Sequence, residues 1–302
     1  MECVSIAILC FFAKQRNLFP VRDFRNLYSG DEGDILRYQY VKEKVMKISA
    51  SVVSHPGNYR DKNEDNFCFN GKKLEGNATL RPIRFYGRTS APILMGIFDG
   101  MGGIKAGEVA SRIATDVACS AISEIKDHPD TITQLVNICK QANTVTCNEM
   151  LNVIKQRIGT TASMLCFRDE NYYLCNIGDS PIYLFRDNVL KPIFHEHTEK
   201  ENFLRIHGAN AILPKKKFKL TQNIGIFPEE MEIEPFVISG ELLKEDRFLI
   251  TSDGLTDMVD ETEIADVLSK RMSPARTTKQ LLQRALNNGG KDNTTIICID
   301  IR

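Results

Sequence analysis

The chain has 302 residues, with 39 basic and 39 acidic side chains and no net formal charge. That balance argues against a general nucleic-acid binder, which would carry a basic excess, and the length allows one large domain or two modest ones with a sizeable core. Nine cysteines, an odd number with no C-x-x-C pair and several inside apolar runs, indicate buried free thiols in a reducing compartment rather than a disulfide framework.

The opening stretch, MECVSIAILCFFAKQRNLF, contains an apolar run of about ten residues, well short of a membrane span. Glu2 stands where a signal peptide needs a basic start. We read it as a helix or strand packed on the domain and place the protein in the cytoplasm. From Arg22 to Tyr40 charged residues alternate with aromatics, and Gly-Asp-Glu-Gly interrupts them at 30–33. Residues 1–46 carry no nameable chemistry and are expected to form an N-terminal extension that covers a sheet edge or mediates dimerisation.

From Lys47 short apolar runs end in Asp, Gly and Asn. ISASVVS reads as a strand, HPGNYRDKNED as a loop and DNFCFN as a strand. Residues 70–90 are polar and basic and read as a loop or irregular hairpin. APILMGIF suits a strand buried on both faces that stops at Asp99. Apolar or small residues at 106, 109, 110, 113, 114, 117, 118, 121, 122 and 125 then trace one helical face. A second helix is expected from about Thr131 to Lys155, with Leu135, Ile138, Ala142, Val145, Met150 and Ile154 inward. The short link makes the two an antiparallel pair. Strands return at TTASMLCF, YYLCNI and PIYLF. The stretch 195–225 is polar and Lys-rich. EIEPFVI and RFLITS read as strands, helices follow at about 261–271 and 277–288, and TTIICIDI closes the chain as a strand. Strands in blocks, with one helix pair in the middle and one near the end, imply an α+β layered protein with sheets inside and helices outside.

Four aspartates share one context. Asp65 precedes NFCF, Asp99 ends ILMGIF, Asp253 ends FLITS and Asp292 precedes TTIICIDI, each flanked by Gly or Asn. Carboxylates at the rims of neighbouring strands can converge, and they repel one another unless a cation compensates. Oxygen-only ligands favour Mg2+ or Mn2+, and a glycine beside a ligand lets backbone approach the metal. Such metals lower the pKa of bound water and neutralise a phosphoryl group, so no Ser or Cys nucleophile is needed. Each motif alone, such as Asp-Gly after a strand, is usually just a turn.

Their order is more specific. R-x-x-N-E-D at 60–65, F-D-G-M-G-G at 98–103, G-T-T at 159–161, G-D-S at 178–180, S-D-G-L at 252–255 and K-D-N-T at 291–294 follow one another. Over residues 47–302 this set resembles the metal-dependent PPM/PP2C family of protein serine/threonine phosphatases, in its bacterial form. The resemblance implies a four-layer α-β-β-α sandwich, two antiparallel sheets flanked by helix pairs. It also implies a centre for two Mn2+ or Mg2+ ions, with a third more weakly bound. Asp65, Asp99 and Asp253 would ligate the metals, Asp292 would complete the set, and Gly100 would offer its carbonyl. Glu64 would act through a bound water, and Asp179 would hold the third metal together with Asp253. Arg60 would grip the substrate phosphate, which its planar fork suits. Asn293 would brace the loop.

The implied reaction is in-line attack on phosphorus by a metal-bridging hydroxide, with the Ser or Thr alkoxide leaving and no phosphoenzyme formed. The implied partners are phosphoprotein substrates and a cognate Ser/Thr kinase. Two positions depart from the family. Met101 stands where many members have a His proposed to protonate the leaving group, so a bound water or another side chain would do so. Pro181 follows G-D-S where Arg is frequent, removing one cation. Residues 195–225 would match a variable flap. Within it, His195 and His197 could share a strand face as zinc ligands do, though no further ligands stand nearby. Lys215, Lys216 and Lys217 read as a solvated face able to steer acidic substrates, as does the basic stretch 72–88. A phosphatase of a small phosphorylated metabolite and a non-catalytic binding module of the same fold are the competing readings.

Overall fold

The computed structural model describes residues 45–79, 81–102, 106–208, 210–214 and 218–302. The expectations for residues 1–44 and for Lys215, Lys216 and Lys217 fall outside these.

Among the described residues twelve strands form two antiparallel sheets. The strands are β1 (Lys47–His55), β2 (Asp65–Phe69), β3 (Ile83–Arg88), β4 (Ile93–Gly102), β5 (Ile158–Thr160) and β6 (Ala162–Arg168). The second half supplies β7 (Asn171–Ile177), β8 (Ile182–Arg186), β9 (Val189–Pro192), β10 (Phe236–Glu241), β11 (Arg247–Thr251) and β12 (Thr294–Ile301). One sheet runs β3-β1-β12-β11-β8-β9. The other runs β10-β7-β6-β4-β2, with β5 paired to the end of β4. Helices α1 (Gly107–Ser120), α2 (Ile122–Asp127) and α3 (Thr131–Glu149) precede β5, and α4 (Glu199–His207) follows β9. After β11 come α5 (Asp253–Thr256), α6 (Glu261–Ser269) and α7 (Pro274–Asn287).

The continuous apolar runs are explained by burial on both sheet faces. On β12, Ile297, Ile299 and Ile301 enter the core between the sheets, while Ile296 and Cys298 pack with Ile264 and Leu268 of α6 and Leu281 of α7. On β4, Met95 and Ile97 point between the sheets, and Leu94 and Phe98 pack on Ala114, Ala118, Leu135 and Ile138 of α1 and α3. Sheets inside and helices outside therefore give the expected four-layer sandwich.

Several elements differ from the sequence reading. The stretch 70–90 contains β3, an edge strand whose side chains alternate between half-buried and exposed, so its arginines mask the strand pattern. β4 does not stop at Asp99 but runs to Gly102, because β5 extends its pairing through Gly100–Thr160 and Gly102–Ile158. The helix expected over 106–125 breaks at Ala121 into α1 and α2. The next helix ends in a π-helical turn, Met150–Ile154, capped by left-handed Lys155 at φ 57°. Val145 is exposed, and Thr146 and Cys147 take the inward positions. β10 starts only at Phe236, after Pro235, which has no N–H to donate to a ladder. The stretch 195–225 includes α4, with Thr198 as its N-cap. Among the described residues no helix is long and apolar enough to cross a membrane, and seven cysteines are free thiols.

Candidate metal centre

The aspartates reach one end of the sandwich from both sheets. Asp65 and Asp99 are direct register partners on β2 and β4. Asp253 follows β11 and opens α5, and Asp292 immediately precedes Asn293 and β12 in the other sheet. Asp179 lies in the turn from β7 to β8, where the chain crosses between sheets.

Asp65 is almost fully buried. Its Oδ2 accepts hydrogen bonds from Ser252 Oγ at 2.8 Å and Thr295 Oγ1 at 2.7 Å, both from the opposite sheet. Ser54 Oγ lies 2.7 Å from Thr295 Oγ1, and Asn63 Nδ2 donates to Ser54 Oγ at 2.8 Å. This chain of polar groups fixes the carboxylate. Its Oδ1 has no hydrogen-bond partner. The backbone of Asp99 is held as firmly. Its N–H donates to Thr161 Oγ1 at 3.0 Å, and its carbonyl accepts from Thr160 Oγ1 and Thr161 N, each at 2.9 Å. Thr161 Oγ1 in turn lies 2.7 Å from Ser180 Oγ. The G-T-T and G-D-S motifs thus brace the aspartates.

Asn293 braces a second layer of backbone. Its Oδ1 accepts the Glu64 N–H at 2.8 Å, and its Nδ2 donates to the carbonyls of Pro56 and Lys62, each at 2.9 Å. Glu64 Oε1 accepts the Gly107 N–H at 3.1 Å, fixing the start of α1. Gly100 lies where backbones crowd: a Cβ there would stand 2.3 Å from the Gly107 carbonyl oxygen and 2.5 Å from that of Glu64. Arg60 Nη2 donates to Asp292 Oδ2 at 2.7 Å, so the guanidinium assigned to phosphate is joined to one of the predicted metal ligands.

Burial first, and mutual repulsion second, raises the carboxyls of the centre. Burial pushes the Asp65 carboxyl up to about 6 and, with Asp179 and Asp257 nearby, Asp253 up to about 7. Burial raises Asp179 to about 6. Asp99 is held well above the ordinary carboxylate range, by burial first and then by Asp65, Asp253, Asp179 and Asp292. Burial also raises Glu64. Among the described residues no three His, Cys, Asp or Glu side chains are drawn together at ligating spacing. An all-oxygen donor set, an orphaned buried carboxylate oxygen and mutually raised carboxyls fit a hard divalent cation.

Sequence reasoning missed Ser252 and Thr295. The available sign was a polar residue at the end of each buried run, in FLITS and KDNTT. His197 is buried, with Nδ1 3.2 Å from the Gly178 carbonyl, and His195 stands edge-on to it at 4.8 Å. His197 therefore braces the turn that carries Asp179, and burial lowers its pKa.

The family profile of protein phosphatase 2C matches residues 50–294. The serine/threonine phosphatase Stp of Listeria welshimeri is 28% identical over 231 residues, covering 72% of this chain and 87% of the relative. Protein phosphatase PhpP of Streptococcus pneumoniae is 27% identical over 243 residues, covering 76% of this chain and 94% of the relative. Among solved structures, the catalytic domain of the serine/threonine protein phosphatase PstP, in complex with two manganese ions, superposes with a TM-score of 0.66. It is 26% identical and covers 85% of this chain and 99% of that one. With its matched span, its sandwich and its motifs in register at one rim, the chain belongs to the protein phosphatase 2C family.

Proposed function

We propose that this chain is a metal-dependent protein serine/threonine phosphatase that hydrolyses phosphoserine and phosphothreonine in other proteins. The observation that carries this is the register-paired Asp65 and Asp99, with Asp253 and Asp292 near enough to act on Asp99 and one buried Asp65 oxygen left without a partner. Asp65, Asp99, Asp253, Asp292 and the Gly100 carbonyl would hold two Mn2+ or Mg2+ ions. Glu64 would contribute through water, and Asp179 with Asp253 would hold a weaker third. When bound, such ions supply Lewis acidity toward water and toward phosphoryl oxygen.

The chain's own residues position the reactants. Arg60, exposed at the rim, offers a planar fork to the phosphate once it leaves Asp292. Ser252 and Thr295 hold the Asp65 carboxylate and Thr160 and Thr161 hold the Asp99 backbone, which limits the reorganisation needed during the reaction. Met101, next to Gly100 on β4, has no proton to give a leaving alkoxide. The free thiols are in keeping with a cytoplasmic location, and phosphoproteins, with a cognate Ser/Thr kinase, are the partners we assign.

The test is phosphate release from a phosphothreonine peptide and from a small phosphorylated metabolite, with Mn2+ and after chelation, in wild type and Asp253→Asn. Release from the peptide that needs Mn2+ and Asp253 is expected. Activity surviving both chelation and the substitution would overturn the metal mechanism, and a preference for the metabolite would overturn the protein-phosphatase reading.

A further inference from the structure

A basic groove lies at the end of the sandwich away from the aspartates. His55, at one end of β1, pairs with Thr294 close to Asp292. Ser49, toward the other end, is about 20 Å along the strand from it. There a cavity of about 410 Å3 opens between edge strand β3 and the start of α7, lined by Arg84, Tyr86 and Arg276 among others. A second cavity, of about 330 Å3, continues past Tyr86 to Lys47, Arg88 and Arg302. Among the described residues no acidic side chain lines either one. Among the described residues only Arg302 of these five cations has an ion pair, 3.6 Å from Asp300. In a chain with no net charge, this is a local concentration of positive charge that the described residues leave unbalanced.

The strand beneath it is built to accept another. Ile83 and Phe85 of β3 pack on the core between the sheets, while Arg84, Tyr86 and Arg88 share the exposed face, Tyr86 at 71% exposure. β3 pairs with β1 alone among the described strands. The Thr89 N–H donates to the Met46 carbonyl at 3.0 Å. Alternate residues of an antiparallel ladder turn their backbone groups the opposite way, so those of Arg84 and Tyr86 face away from β1, where no described strand pairs with them.

We propose that the outer edge of β3, beside this groove, docks an extended acidic segment of a partner polypeptide. The segment adds to β3 as a further strand and sets alternate Asp or Glu side chains on the face that carries Arg84 and Arg88, with Arg276 across the groove from Arg84. Main-chain pairing supplies affinity in such additions, and alternate side chains supply specificity. Cations on an edge strand also guard it against self-association, a role that needs no partner. The proposal does not rest on the phosphatase reading, because docking is read by binding alone.

The experiment is fluorescence anisotropy of a labelled peptide of alternating Glu and Val with the full chain, compared with Arg84→Glu/Arg276→Glu. Saturable binding is expected, weakened about tenfold or more in the double variant and by added salt. The same peptide N-methylated at alternate residues should not bind. Melting temperature and nitrophenyl phosphate turnover of the double variant should match wild type, showing that the loss is local. No binding by the wild type would leave edge protection as the role of these arginines and overturn the proposal. Equal binding by the double variant or by the N-methylated peptide would also overturn it. So would tighter binding of an oligouridylate of equal charge, which would mark a general polyanion surface.

Discussion

Replacing Asp65 by Asn separates the cost of the proposed metal centre from its use. Burial holds the Asp65 carboxyl at about 6, against an ordinary 3.8. A carboxyl raised in the folded state binds its proton more tightly there than in the unfolded chain. Its contribution therefore favours folding below the ordinary value, falls as pH rises between the two values, and is lost above about 6. A displacement of about two pH units corresponds to about 3 kcal/mol. Asn keeps an oxygen to accept from Ser252 and Thr295 but brings no charge into the core. In chelator at about pH 8, Asp65→Asn should melt above wild type by up to about 3 kcal/mol, or roughly 6–12 °C for a domain of this size. At about pH 4.5 the difference should shrink to roughly a third, about 1 kcal/mol. Added Mn2+ should raise the wild-type melting temperature more than that of the variant, which lacks one of the proposed ligands. Scanning fluorimetry at the two pH values reads all of this. A variant that melts below wild type at the higher pH, or a gap equal at both pH values, would refute the reasoning.

Single contacts elsewhere in the fold set the other expectations. A Cβ at Gly254 would stand 1.9 Å from the Asn293 carbonyl oxygen, so Gly254→Ala should cost about 1–3 kcal/mol in urea melts and weaken Mn2+ binding measured by calorimetry. Asn293→Ala removes three hydrogen bonds from a buried side chain and should lower the stability of the chelated protein by about 2–3 kcal/mol, read by chemical denaturation. Arg247 is buried, bonded to Asp300 at 2.7 Å and to the carbonyls of Leu268 and Met272, so Arg247→Met should cost about 3–5 kcal/mol by the same assay, and Arg247→Met/Asp300→Leu should cost less.

The local chemistry of the chain was legible before the fold was known. Buried strands show as apolar runs because both faces of each sheet are covered, and polar residues that interrupt such runs are costly unless they have a task. That is why Asp65, Asp99, Asp253 and Asp292 stood out at the run ends. β3 did not, because an edge strand can carry Arg84, Tyr86 and Arg88 on a solvated face and so loses the apolar pattern. Ser252 and Thr295 did not either, since a hydroxyl at a strand end has many harmless explanations.

The sequence by itself determined the layered α+β class, the strand-end carboxylates and the family likeness, because these depend on residue type and order. Only the tertiary structure decided which groups meet. The β2–β4 register puts Asp65 opposite Asp99, and two hydroxyls from the other sheet cross to hold Asp65. The same packing brings Arg60 to Asp292, 232 positions away in the chain. Such pairings are set by strand register and sheet stacking, which are cooperative properties of the whole core and leave no mark in any short stretch of sequence.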